Sequence, residues 1–141
     1  FKDISLELGK YFSQEFVGRG ACAGDYDNDG DMDIFVVNLN SHCVFLRNNK
    51  GNQNNWIILN LTGTTSNRDG IGARIKLTSG GKTQIAQRKT TTGYLSQNDP
   101  RIHFGLGKNQ IVDLIEIRWP SGKTQTLENI NVNQILEVKE P

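Results

Sequence analysis

Nine consecutive residues, Asp25-Tyr26-Asp27-Asn28-Asp29-Gly30-Asp31-Met32-Asp33, carry five carboxylates. A loop this short cannot hold them apart, so at neutral pH their mutual repulsion has to be solvated or neutralised. Aspartates at 25, 27 and 29 alternate, which lets three side chains turn toward one point, and Gly30 permits the left-handed or sharply turned backbone that closes the loop. The carbonyl of Asp31 and the carboxylate of Asp33 then complete an all-oxygen shell. Oxygen donors on a flexible loop suit calcium; magnesium demands a stricter octahedron and zinc prefers nitrogen or sulfur. The expected metal ligands are therefore Asp25, Asp27, Asp29, Asp31 by its carbonyl, and Asp33, with calcium as the cofactor.

The residues after the loop separate it from an EF-hand. That motif shares the opening but needs a bidentate Glu at loop position twelve and a helix on each side, and position twelve here is Val36. Met32 to Val37 is instead an apolar run with several β-branched residues and reads as a buried strand. The loop is thus expected to join two strands.

The chain has 141 residues, enough for one ordinary domain or two small ones. Its 16 basic and 15 acidic residues nearly cancel and the basic ones are scattered, so no nucleic-acid footprint is expected. No apolar run is long enough to span a bilayer as a helix. The sequence starts at Phe1 with neither an initiator Met nor a signal-like segment, the pattern of a processed chain or an excised piece. Cys22 and Cys43 fall on strands separated by a third, so buried free thiols are expected rather than a disulfide, and no CxxC points to redox or zinc chemistry.

Strand signals recur along the rest. Phe1, Ile4, Leu6 and Leu8 have the spacing of an extended edge segment, and Gly18 to Ala23 is a strand of small residues leading into the loop. Strands at 33–38 and 43–47 complete a small antiparallel sheet. The amide-rich stretch Asn48 to Asn55 then marks an internal boundary, dividing the chain into 1–52 and 53–141. Beyond it, alternation predicts strands at 56–62, 73–78, 83–89, 102–104, 113–119, 125–127 and 135–139. Ser79-Gly80-Gly81-Lys82 is a tight hairpin turn, and Trp119-Pro120-Ser121-Gly122 closes another strand. No segment holds a helical period over three turns. The expected fold is all-β: one propeller-blade-like antiparallel sheet with a calcium loop, followed by a β-sandwich or barrel-like domain.

Gly18 to Asn48, with GDYDNDGDMDIFVVN at its centre and FLRNN at its end, resembles an FG-GAP or VCBS repeat, the calcium-carrying blade of integrin-type propellers. The remainder resembles the ASPIC and UnbV domain through NRDGIGAR (67–74), GYLSQ (93–97), HFGLG (103–107), WPSG (119–122), Asn133 and Gln134. The resemblance implies an extracellular, cell-surface or periplasmic module. A propeller needs at least four blades and this chain supplies one, so a lone blade would expose its sheet edges and invite pairing with a second copy as a homo-oligomer.

Other constellations are weaker. Tyr94, Ser96 and Gln97 combine an aromatic with polar groups suited to a sugar, and Asn67 and Asp69 offer oxygens beside Gly70. Each has a plainer reading, a corner tyrosine anchoring a loop and a self-bonded turn. Ser96, Asp99 and His103 include the residue types of a hydrolase triad but lack a nucleophile elbow. Trp56 and Trp119 sit in strand patterns and read as core. The chain is accordingly expected to be non-enzymatic: a calcium-stabilised binding or adhesion module for a carbohydrate or a surface protein. The alternatives are a structural C-terminal cap of a propeller that binds only calcium, and an ancillary domain of a secreted hydrolase.

Overall fold

A computed structural model of the chain describes residues 2–141 and, of Asn52, the backbone only. Among the described residues, ten strands arrange as three sheets, and helix is confined to short 3-10 turns. Ser5–Glu7 and Lys10–Ser13 are two of those turns, so the expected extended edge segment is absent; Phe1, part of that expectation, lies outside the described residues. Asp3 accounts for the difference at the first turn, where its carboxylate accepts from the Ser5 amide at 2.9 Å and the Ser5 hydroxyl at 2.6 Å and curls the chain locally.

The first sheet is an antiparallel meander, β1 (Gly18–Gly24), β2 (Asp33–Asn38) and β3 (Val44–Leu46), with β2 in the middle. The aspartate loop joins β1 to β2, as the apolar run after Gly30 predicts. Burial of β2 does not follow, however. Ile34, Phe35 and Val37 are 39%, 40% and 41% exposed, because no second sheet brings an apolar layer onto this three-stranded one. Among the described residues every buried apolar side chain lies at Ile57 or later, and the buried groups of the loop are Asp25, Gly30, Asp31 and Asp33. Cys22 and Cys43 are both free, but Cys22 is half-buried and Cys43 exposed, for the same want of a covering layer.

The remaining strands form a sandwich rather than a closed barrel. One sheet has β4 (Asn55–Thr62) at its centre, β7 (Ile102–Gly107) antiparallel on one side and β10 (Gln134–Lys139) parallel on the other. The second is fully antiparallel in the order β6-β5-β8-β9, from β5 (Arg74–Ser79), β6 (Lys82–Gln87), β8 (Ile111–Arg118) and β9 (Thr124–Asn131). Alternation places Ile75 and Leu77 inward from β5 with Arg74 and Lys76 outward, facing Ile57, Leu59, Phe104 and Leu106 of the other sheet. Ile115, Ile117 and Trp119 fill the centre, and each fully buried Ile or Leu contributes about 1.5–3 kcal/mol. The hairpin between β5 and β6 uses Gly80 and Gly81 at φ 55° and 74°, the left-handed pair its sequence predicts.

Two polar devices close the sandwich where β10 runs parallel to β4. Asn133, at φ 59°, donates its amide to the Trp56 carbonyl at 2.6 Å and accepts from the Trp56 amide at 3.1 Å. At the other end, one oxygen of the buried Glu140 carboxylate accepts from three successive amides, Thr64, Thr65 and Ser66, at 2.7, 2.8 and 2.7 Å. Its other oxygen accepts from the Ser66 and Ser121 hydroxyls. Burial pushes this carboxyl up, but the Ser121, Ser66 and Thr64 donors outweigh it and hold the group far below the usual carboxylate range.

Candidate metal centre

The loop's own backbone sets its shape. Asp25, 2% exposed, accepts the Asp29 amide on Oδ1 at 3.1 Å and the Gly30 amide on Oδ2 at 2.9 Å, and Asp29 accepts the Asp31 amide at 3.1 Å. Asn28 and Gly30 take φ values of 58° and 95°, reversing the chain twice within three residues. The outcome is a convergent trio: Asp25, Asp27 and Asp29 each offer a carboxylate oxygen, and these oxygens lie within 4.8 Å of one another. At 4.8 Å a pair of unit charges repels by roughly 3.5 kcal/mol for an effective dielectric near 20, and by less where water reaches exposed Asp27. Arg47, ion-paired with Asp27, relieves part of this.

The other two expected ligands are engaged by amides outside the trio. Asp33 accepts from Tyr26 at 3.3 Å and from Asn48, beyond β3, at 2.8 Å. Asp31 accepts from Gly51 at 3.1 Å through Oδ2. These bonds tie the loop to the segment leaving the sheet. A carboxylate oxygen has a second lone pair, so accepting one amide leaves Asp25 and Asp33 donor capacity toward a cation. An oxygen-only set with three converging carboxylates fits a hard divalent ion held in a loop and does not fit a thiolate- or imidazole-seeking one.

The sandwich reaches into the loop as well, and sequence reasoning missed this. Arg101, just before β7, donates Nη2 to the Asp25 carbonyl at 2.9 Å and Nη1 to Asn28 Oδ1 at 2.5 Å. Its remaining edge is clasped by Asp99, with Nε 3.0 Å from both carboxylate oxygens and Nη2 2.6 Å from Oδ2. Burial raises the Asp99 pKa, but the hydrogen bonds and charge of Arg101 prevail and hold it below 3.8, its ordinary value; the same pairing raises Arg101. The Asp99 amide donates to Ala23 O at 2.9 Å, and Asn98 Oδ1 accepts the Ala23 amide at 3.0 Å, which extends the edge of β1. His103 Nε2 donates to the Gly30 carbonyl at 2.9 Å and its ring stacks on Trp56. Trp56 is therefore half-buried and lies under the loop rather than in the core: a Cβ at Gly30 would fall 1.8 Å from its Nε1.

The remaining candidates do not share one surface. Tyr94 and Leu95 are 71% and 88% exposed on a loop tip, Leu95 at φ 48°, with the Ser96 hydroxyl turned back to the Tyr94 carbonyl at 2.9 Å. With Arg19, Gly20 and Val37 they line a hollow of about 330 Å³ that excludes Gln97, Asn67 and Asp69. Asn67 bonds the Ile71 amide and carbonyl at 2.8 and 2.9 Å, the self-bonded turn, and Asp69 is exposed beside it. Ser96, Asp99 and His103 are each committed elsewhere, to Tyr94, Arg101 and Gly30.

Cartilage acidic protein 1 of Homo sapiens is 31% identical over 144 residues, an alignment taking in 96% of this chain and 21% of that protein. The Mus musculus protein of the same name is 30% identical over 96% of this chain and 22% of its own length, and the Xenopus tropicalis one 32% over 88% and 20%. The chain thus spans about a fifth of these relatives. The profile described as ASPIC and UnbV matches residues 63–141, the greater part of the sandwich and more than half of the sequence. The chain belongs to the ASPIC and UnbV family.

Proposed function

We propose that this chain is a non-enzymatic, extracellular binding module whose aspartate loop takes calcium as a structural clip. The observation that carries the reading is the convergence of Asp25, Asp27 and Asp29 at the junction of β1 and β2, in a sheet without an apolar core of its own. Asp31, by its carbonyl, and Asp33 are the further ligands. Calcium supplies the charge that the carboxylates lack among themselves, and the chain's part is to present the oxygens and hold the turn. Because the unfolded chain does not assemble this geometry, binding stabilises the native state, by about 2.7 kcal/mol at a hundredfold excess over Kd. Thermal melts in calcium against a chelator test this: the melting temperature rises with calcium in the wild type and not in Asp27→Ala. No shift in the wild type removes the proposal.

What the module binds is assigned to the exposed Tyr94 tip, with a carbohydrate or a surface protein as the ligand. Tyr94 stands out in an aromatic-and-polar setting beside Ser96 and Arg19. Glycan-array binding that disappears in Tyr94→Ala supports the assignment, and binding unchanged in that variant moves the surface elsewhere. A second reading, a structural cap ending a β-propeller, is favoured by the half-exposed Ile34, Phe35, Val37 and Phe45 of the first sheet. Those residues are what a blade presents to its neighbour.

A further inference from the structure

We infer that Arg101 is a positioning residue for the cation loop, and that ion binding is thereby linked to the docking of the Asn98–His103 segment on the first sheet. The inference rests on the calcium reading and adds to it a set of residues from a distant part of the sequence.

Arg101 grips the loop at two points that determine where the carboxylates go. One is the carbonyl of Asp25, whose side chain is a ligand, and the other is the side chain of Asn28, the left-handed residue between Asp27 and Asp29. Fixing both sets the alternation that turns three carboxylates to one point. Gly30, which closes the turn, is held by His103 at its carbonyl and lies on the Trp56 ring, so it too is located from the sandwich.

A guanidinium beside a cation site would ordinarily oppose the ion. Here Asp99 clasps its Nε and Nη2, so the pair brings two directed donors to the loop with almost no net charge. A lysine in the same place offers neither the fork nor the simultaneous reach to Asp99, Asp25 and Asn28. Partners that orient metal ligands without touching the metal typically change affinity by 10–100-fold when removed. Reciprocity then requires that the ion tighten Arg101 and the Ala23–Asp99 hydrogen bond to the same degree that they tighten the ion.

Isothermal titration of the full chain with calcium chloride is the test, together with urea unfolding in chelator and amide hydrogen exchange with and without calcium. The expected result is an affinity loss of about 10–100-fold in Arg101→Met that Arg101→Lys does not restore, and a similar loss in Asp99→Asn, which leaves the guanidinium charge uncompensated. In the wild type, calcium slows exchange at the Asp99 and Ala23 amides, a readout that needs no variant to fold. If the wild type binds calcium while Arg101→Met matches its Kd within twofold and those amides exchange at unchanged rates, the inference is overturned and the calcium reading stands. Failure of the wild type to bind calcium overturns both.

Discussion

Gly30→Ala isolates the contact between the aspartate loop and the sandwich. At φ 95° an alanine is strained, since L-residues lose roughly 1–2 kcal/mol in left-handed backbone. The new methyl would also fall 1.8, 2.1 and 2.3 Å from Nε1, Cε2 and Cδ1 of Trp56, deep inside van der Waals contact, so the loop or the indole must move. Overpacking of this kind costs about 1–3 kcal/mol. The sum, roughly 2–5 kcal/mol, is large for a chain of this size. A double-mutant cycle with Trp56→Ala separates the two parts. In the Trp56→Ala background the methyl has room and Gly30→Ala retains only the backbone strain, so the coupling energy equals the steric part, at least about 1 kcal/mol. Urea unfolding followed by far-UV circular dichroism measures all four corners without relying on the fluorescence of the deleted tryptophan. A cost for Gly30→Ala below about 0.5 kcal/mol, or one that does not change when Trp56 is removed, would refute the placement of the loop on the indole.

The same geometry sets other expectations. Trp119→Ala empties the centre of the sandwich, where the side chain is 1% exposed and its Nε1 donates to Gln125 at 3.0 Å, and should cost about 3–5 kcal/mol in denaturant unfolding. Glu140→Gln takes the charge from a carboxylate that collects three amides and two hydroxyls; hydrogen exchange should then quicken at the Thr64, Thr65 and Ser66 amides and along β10 while the first sheet is unaffected. Asp99 and Glu140 are both depressed in the folded chain, below ordinary values of 3.8 and 4.5, so their stabilisation is complete above those values and is lost as pH falls through the lower, folded ones. Melting temperature should therefore decline on acidification below about pH 4.5, with a shallower slope in Glu140→Gln; equal slopes would disprove the contribution of Glu140.

The alternation was legible in strands such as β5 and β8, which turn one face to the core. Ile75 and Leu77, or Ile115 and Ile117, record that asymmetry residue by residue, and the glycine pair at 80 and 81 records the hairpin. The parallel pairing of β10 with β4 was not legible: alternation reports which face is buried and says nothing of a neighbour's direction, which here is set by Asn133 and Glu140 at the two ends. Likewise the apolar run in β2 reads as a buried strand, and the half-exposed Phe35 and Val37 show that the described chain covers it only in part.

The candidate site divides along the same line. Alternating aspartates around a glycine are a local pattern, and the Asp25 carboxylate's bonds to the Asp29 and Gly30 amides shape the turn on which Asp25, Asp27 and Asp29 converge. Arg101 and His103 reach the loop across 73 to 76 residues, and Asp99-Pro100-Arg101 carries no periodicity or motif that points so far back. A strand-linking loop on a sheet without a core needs this external support, since three converging carboxylates push the turn open and, among the described residues, no apolar side chain of the sheet is buried to resist them. The sandwich supplies a flat ring beneath Gly30, a donor to its carbonyl and a charge-balanced fork on Asp25 and Asn28. The loop can keep its carboxylates converged because the residues that restrain it belong to the part of the chain that has a core.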